Sequence, residues 1–224
     1  VVYDSVSNTP DGTITLSDLS YFNRFPMKFE IMSFVTPYGI NLDLGPTGKT
    51  WIFDVTDFTP FLNGKKRITM ERGGEYQEEM DISFLFIVGT PEREVKEIKE
   101  IWPTGYHGYT DIMANKYFAP RKLPLDTSAS YFEIRTTVTG HGQEGEFIPR
   151  MHFLKIDSSH QFDWQVWKDC GENPVFPQGG TWIYDRAGWC PGMASDIQEN
   201  DITGLVGRND SVLIDYGVST AAGT

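Results

Sequence analysis

The chain lacks the residue sets that many chemistries require. Its four histidines are His107, His141, His152 and His160, and there is no His-x-His, no His-Glu-x-x-His and no cysteine pair at ligand spacing. A metal centre therefore has no signature here. There is no Gly-rich phosphate loop and no Gly-x-Ser-x-Gly elbow, so no cofactor is indicated and the common signature of serine hydrolases is missing. Positive charge is scarce, with 19 Lys and Arg against 31 Asp and Glu and a net charge of −12. Nucleic-acid binders carry a basic footprint, so nucleic acid is not an expected partner. No apolar run approaches the roughly 18 residues of a membrane span. The richest stretch, residues 82–88, has the length of a strand, and no membrane partner is expected. Low-complexity tracts and short repeats are also missing. No signal peptide is visible, and the chain opens on Val1, which suggests a processed or excised piece.

Cysteine is nearly absent. Cys170 and Cys190 lie 20 residues apart. A bridge between them would close a loop worth about 3 kcal/mol and would imply an oxidising compartment. Two buried free thiols in a reducing compartment are the alternative that spacing alone leaves open.

Aromatics, by contrast, reach 14 %, with 22 Gly and 13 Pro. Many turn formers and many aromatics suit an all-β architecture of short strands. Candidate strands in the first half are residues 1–6, 13–16, 29–35, 51–55, 66–71 and 81–88. In the last of these, Ile82, Phe84, Phe86 and Val88 share a face. Residues 57–64 predict a capped turn of helix closed by Asn63-Gly64. In residues 94–102, Val95, Ile98 and Ile101 recur at helical spacing. Residues 103–125 predict a long surface loop, and residues 131–139, 150–156, 162–168, 181–184 and 212–216 predict strands. Each half is a set of short strands, which suits two packed β-sandwiches.

The most unusual stretch is Gln178-Gly-Gly-Thr-Trp-Ile-Tyr-Asp-Arg-Ala-Gly-Trp-Cys-Pro-Gly192. Turn chemistry stands at both ends. Between them a short strand should run into a loop that presents Asp185, Arg186 and Trp189. A guanidinium offers a planar fork of donors and an indole offers a flat apolar face with one N–H, which together suit a sugar. The plain alternative is a tryptophan corner pinned by an ion pair. Trp182, in mid-strand, fits that alternative, whereas Arg186 and Trp189 fit a site on a loop.

A second cluster is Gly140-His-Gly142 followed by Glu144-Gly-Glu146-Phe147. It predicts a tight hairpin with Glu146 at a cleft beside Phe147, or else a solvated tip. Glu71 stands before Arg72-Gly-Gly74 and by pattern alone is an exposed edge carboxylate.

Tyr184-Asp-Arg-Ala-Gly-Trp-Cys-Pro-Gly192 closely resembles the Asp-Arg-Ala-Gly-Trp-Cys-Pro-Gly loop of the peptide-N-glycosidase F family. So do Ser33-Phe-Val-Thr-Pro-Tyr38, Phe53-Asp-Val-Thr-Asp-Phe58, Gly89-Thr-Pro91, Arg135-Thr-Thr137 and Glu146-Phe-Ile-Pro-Arg-Met-His152 with their counterparts. The resemblance spans nearly the whole chain. It implies two adjacent jelly-roll β-sandwich domains, residues 1–92 and 93–224, with residues 94–102 opening the second as a strand. It also implies an amidase that hydrolyses the bond between the asparagine side chain and the first N-acetylglucosamine of an N-glycan. The substrate would be an N-glycosylated protein or glycopeptide, and the location secreted or periplasmic in a bacterium.

By the same resemblance Glu71 and Glu146 fall on functional acids, and Arg186 and Trp189 line the site around the first sugar. Phe147, His141 and Asp185 join them as substrate-binding residues, and Cys170 and Cys190 fall on a disulfide. Three departures accompany the match. The family's principal aspartate lies in a Trp-Asp-Arg motif before the strand matched by Val1-Val2-Tyr3; the chain begins after it, and Asp4 is a poor substitute. The family also continues past residues 212–216 with further strand. Gly73 and His141 stand where the family has aromatics, which alters the sugar-facing wall. The expectation is a split enzyme in which a second polypeptide carries the missing Asp and edge strands. The rival expectation is a glycan-binding β-sandwich module without catalysis.

Overall fold

The computed structural model describes residues 28–38, 42–70, 79–171 and 183–219. Regular structure begins with a 3-10 turn, Thr56–Phe58, then α1 (Tyr109–Met113), β1 (Arg121–Pro124) and β2 (Glu133–Thr137). There follow α2 (Gln143–Phe147), β3 (Arg150–Ile156), β4 (His160–Val166), β5 (Ile197–Asp201), α3 (Thr203–Val206) and β6 (Ser211–Val218). The fold is all-β, as expected: four strands form an antiparallel sheet in the order β1-β6-β3-β4, and β2 and β5 form a two-stranded antiparallel sheet.

Period-two burial explains why β3 and β6 hold the centre. Along β6, Val212, Ile214 and Tyr216 are buried while Ser211, Leu213 and Asp215 are less so. Along β3, His152, Leu154 and Ile156 are buried in the same alternation. The two strands pair so that Leu154 faces Tyr216 and Ile156 faces Ile214. Ile134, Ile202, Val206 and Ile112 complete the cluster. Burying each aliphatic side chain of this kind contributes about 1.5–3 kcal/mol. His152 sits inside this core, with Nδ1 2.6 Å from the Tyr216 hydroxyl. Burial, aided by Arg150, pushes its pKa down to about 4.

Several expectations are corrected. Residues 29–35, 51–55, 66–70 and 81–88 form no strand; among the described residues they make one bridge, Phe34 to Ala194. Alternation specifies a strand only where a neighbouring ladder and a covering layer receive it. Leu85, Phe86, Ile87 and Val88 are 79–100 % exposed. Residues 94–102 are neither the helix of their spacing nor the strand of the resemblance. The expected loop at 103–125 instead holds α1 and β1, whose Leu123 packs against the core. The turn near residue 57 does form: Asp54 Oδ1 accepts the backbone N–H and the hydroxyl of Thr56, and Gly64 closes it at φ +71°. Residues 183–184 form a turn rather than the end of a strand. Residues 1–6 and 13–16, Asp4, Glu71, Gly73 and Trp182 lie outside the described residues.

The first half nevertheless reaches the second. Val35 N–H donates to the Met193 carbonyl at 3.0 Å and Gly192 N–H to the Val35 carbonyl at 2.8 Å. Trp51 Nε1 donates to the Gly192 carbonyl at 3.2 Å, and Phe34 stacks on Trp51. These contacts set residues 33–38 beside the loop that carries Arg186.

Candidate functional site

The loop of residues 183–192 is fixed by its own chemistry. Arg186 forms a two-way backbone bridge with Lys168. Cys170 and Cys190 are joined in a disulfide with Cα atoms 5.6 Å apart. Asp185 Oδ1 accepts the Cys170 backbone N–H at 3.1 Å. Asp185 is thus committed to holding the loop, alongside any role towards substrate. Gly188 adopts φ +74°, and a Cβ there would stand 2.1 Å from the Val138 carbonyl oxygen, so only glycine fits the turn between Arg186 and Trp189.

Glu146 arrives from a different element than expected. The predicted hairpin at 140–147 is one turn of helix, α2, with Glu146 N–H donating to the Gly142 carbonyl at 2.7 Å. Gly142, at φ +74°, allows the chain to leave β2 and turn directly into that helix. α2 is laced to the loop: Ala187 N–H donates to the Glu146 carbonyl and Gly140 N–H to the Ala187 carbonyl, each at 2.9 Å.

The result is a buried guanidinium between two aromatic rings. Arg186 is fully buried. Its Nη1 donates to Glu146 Oε1 at 2.9 Å and to the Tyr38 hydroxyl at 3.1 Å. Nε donates to the Tyr184 carbonyl at 3.1 Å. The guanidinium carbon lies 4.6 Å from the Trp189 ring centroid and 5.3 Å from that of Phe147, within the range of cation–π attraction. Trp189 is itself buried and spends its indole N–H on the Gly140 carbonyl at 2.7 Å. It is a wall behind the guanidinium more than an open platform. His141 is exposed and stacks on Trp189 with ring centroids 5.5 Å apart.

Glu146 keeps 17 % of its side chain exposed. Burial raises its pKa, and the Arg186 charge pulls against that rise. A carboxylate so placed can take or hold a proton nearer neutral pH than a free glutamate, while the guanidinium fixes its orientation. Glu146, Arg186, Trp189, Phe147 and His141 are therefore brought together, whereas Glu71 lies outside the described residues. Tyr38 is a member that sequence reasoning missed, although its Thr-Pro-Tyr motif had been matched. Among the described residues no group of three His, Cys, Asp or Glu side chains could hold a metal ion.

Together these features define an all-β protein whose loops enclose an acid–guanidinium pair between aromatic rings. Residues 108–223 match the family described as peptide-N-glycosidase F, C terminal, and the chain belongs to that family. It is 29 % identical over 201 residues to the peptide-N(4)-(N-acetyl-β-D-glucosaminyl)asparagine amidase F of Elizabethkingia miricola, covering 79 % of this chain and 55 % of that one. The chain thus spans about half the length of the curated relative it matches. Among solved structures it is similar to PNGase F, a glycosylasparaginase from Flavobacterium meningosepticum, at 28 % identity and a TM-score of 0.41, covering 47 % of this chain and 38 % of that one. It is also similar to PNGF-II at 21 % identity and a TM-score of 0.32, over 46 % of this chain and 21 % of that one.

Proposed function

We propose that this protein hydrolyses the amide joining asparagine to the first N-acetylglucosamine of N-glycans, leaving aspartate in the peptide. The observation that carries the reading is the Arg186–Glu146 pair, buried between Trp189 and Phe147, in a chain of this family. An amide is a poor electrophile, so catalysis must remove about 8 kcal/mol or more of barrier. That calls for a carboxylate that activates water or attacks, donors for the carbonyl oxygen and a wall that positions the sugar.

Glu146 binds the sugar or holds water, and Arg186, buried behind it, orients it and opposes the rise of its pKa. Phe147 and His141 form the wall around the first sugar, with Trp189 backing His141 and the guanidinium and Asp185 beside them. Glu71 orders a bridging water or tunes the other acid. Residues 1–224 contain no Trp-Asp-Arg; in this reading the principal carboxylate comes from such a motif, carried by a second polypeptide or by another part of the same protein. The protein acts on N-glycosylated proteins or glycopeptides and works outside the bacterial cytoplasm; the division into two jelly-roll units at residues 92 and 93 rests on the resemblance alone, since the described residues before it form no strand.

The test is mass spectrometry of a denatured N-glycopeptide incubated with the purified protein, with and without an added Trp-Asp-Arg segment, alongside the intact mass of every polypeptide present. Conversion of asparagine to aspartate in the presence of that segment supports the reading. Binding without conversion under both conditions leaves a glycan-binding module and overturns the amidase.

A further inference from the structure

Glu146 stands on a helix that cannot hold itself. α2 has five residues and no side-chain cap at Gly142, and a helix so short is marginal without outside support. The Arg186 loop holds it at the Glu146 carbonyl, through the Ala187 N–H. A second hold comes from α1: the Tyr109 hydroxyl donates to the Gly145 carbonyl at 3.4 Å. That carbonyl belongs to the peptide unit that enters Glu146.

Tyr109 is the first residue of α1, and Ile112 seats α1 in the core. The Tyr109 ring is half-buried, and a Cβ built on Gly145 would lie 3.8 Å from its Cε2, so ring and helix are at packing distance. The Arg150 guanidinium carbon lies 3.8 Å from the Tyr109 ring centroid, well inside the range of cation–π attraction. Arg150 opens β3. Its Nε is shut off from solvent and has no hydrogen-bond partner, and among the described residues it forms no ion pair. A donor left in that state costs free energy. What the guanidinium gains there is the ring face of Tyr109. Burial pushes the Tyr109 pKa up, and the Arg150 charge pulls against that rise, so the phenol stays protonated and able to donate at neutral pH.

We propose that Tyr109, clamped by Arg150, is a positioning residue for Glu146: it fixes the peptide unit at Gly145 so that the carboxylate stays on Arg186. The contacts run from Arg150 to Tyr109, to the Gly145 carbonyl, to Glu146 and on to Arg186. The inference rests on the amidase reading only for its kinetic readout, since the Glu146–Arg186 contact can be followed without turnover.

The experiment is a double-variant cycle on the purified protein, with Tyr109→Leu, Arg150→Met and the two combined. In NMR spectra the Arg186 guanidinium N–H signals report its pairing with Glu146, because a restrained, ion-paired guanidinium gives resolved, slowly exchanging signals. Tyr109→Leu should broaden or merge them while the methyl signals of Ile156 and Val212 in the core stay in place. In deglycosylation assays supplied with the Trp-Asp-Arg segment, each single variant should lower kcat about tenfold. The double variant should fall no further than about tenfold, because Arg150 acts through Tyr109; two independent structural losses would multiply to about a hundredfold. Tyr109→Phe keeps the ring, and should lower kcat about threefold with a smaller change at Arg186. Changed Arg186 signals without turnover in any form, the unmodified protein included, would sink the amidase reading and leave the positioning standing. Unchanged Arg186 signals in both Tyr109 variants, or kcat losses that multiply in the double variant, would overturn it.

Discussion

One nitrogen of Arg186, Nη1, donates both to Glu146 Oε1 and to the hydroxyl of Tyr38, at 2.9 and 3.1 Å. A single buried guanidinium thus couples the acid on α2 to a tyrosine from the first half of the chain. Arg186→Met should cost about 3 kcal/mol, because it strands a carboxylate in a largely desolvated place. It should also raise the Glu146 pKa further, since the attraction opposing desolvation is lost. The acid limb of the activity profile should then move to higher pH. Chemical denaturation and a pH–rate profile check the two halves of this prediction. Tyr38→Phe removes one hydrogen bond and should cost about 1 kcal/mol while leaving that limb nearly in place.

Gly140 is where α2 meets the Arg186 loop most closely. A Cβ there would lie 1.8 Å from the Gly145 carbonyl oxygen and 2.7 Å from Ala187 Cβ. Gly140→Ala must push α2, and Glu146 with it, away from Arg186. Activity should fall by about a hundredfold or more, as misplacement of a reacting group by about an ångström does. The melting temperature should fall as well, and a steady-state assay beside thermal unfolding would separate the two effects.

Much of the second half was legible in the sequence. β3 covers residues 150–156 as its apolar alternation predicts, and β6 extends the predicted 212–216 by a residue or two at each end. β5 escaped notice because Ile-Gln-Glu-Asn-Asp has little strand propensity; its pairing with β2 decides it. α2 escaped because two glycines beside acidic residues look like a hairpin tip, and only the bonds to residues 186–187 make it a supported turn. In the first half, alternation predicted strands that the described residues do not form, since no ladder receives them. Glu146 and Arg186 were legible through a motif, but Tyr38 joins across 148 residues, which no local pattern encodes.

The Cys170–Cys190 disulfide closes the loop whose far end carries Arg186 and Trp189. Replacing both cysteines by serine should cost about 3 kcal/mol. Because Asp185 accepts the Cys170 backbone N–H, the loss should also loosen the Arg186 loop and lower activity before global unfolding. Activity and unfolding followed together across a denaturant series would reveal that order, and coincident transitions would argue against it.

His152 gives the core an acid limit. It is 2 % exposed and stays neutral until pH about 4, against 6.5 for the free side chain. The unfolded chain therefore takes up the proton first as pH falls, and stability is lost between about pH 6.5 and pH 4. Linkage sets the scale of that loss at about 3 kcal/mol. His152→Gln, although less stable overall, should show a flatter dependence in that window. An unchanged slope in urea titrations at stepped pH would reject the assignment.

The most direct measurement is deglycosylation of an N-glycopeptide in heavy-oxygen water, comparing the protein with its Glu146→Gln variant, each supplied with the Trp-Asp-Arg segment. The account predicts that the unmodified protein releases the intact glycan and leaves an aspartate bearing one heavy oxygen, and that Glu146→Gln slows this by about a hundredfold or more. Release of sugar with asparagine left intact, or full activity in Glu146→Gln, would contradict it.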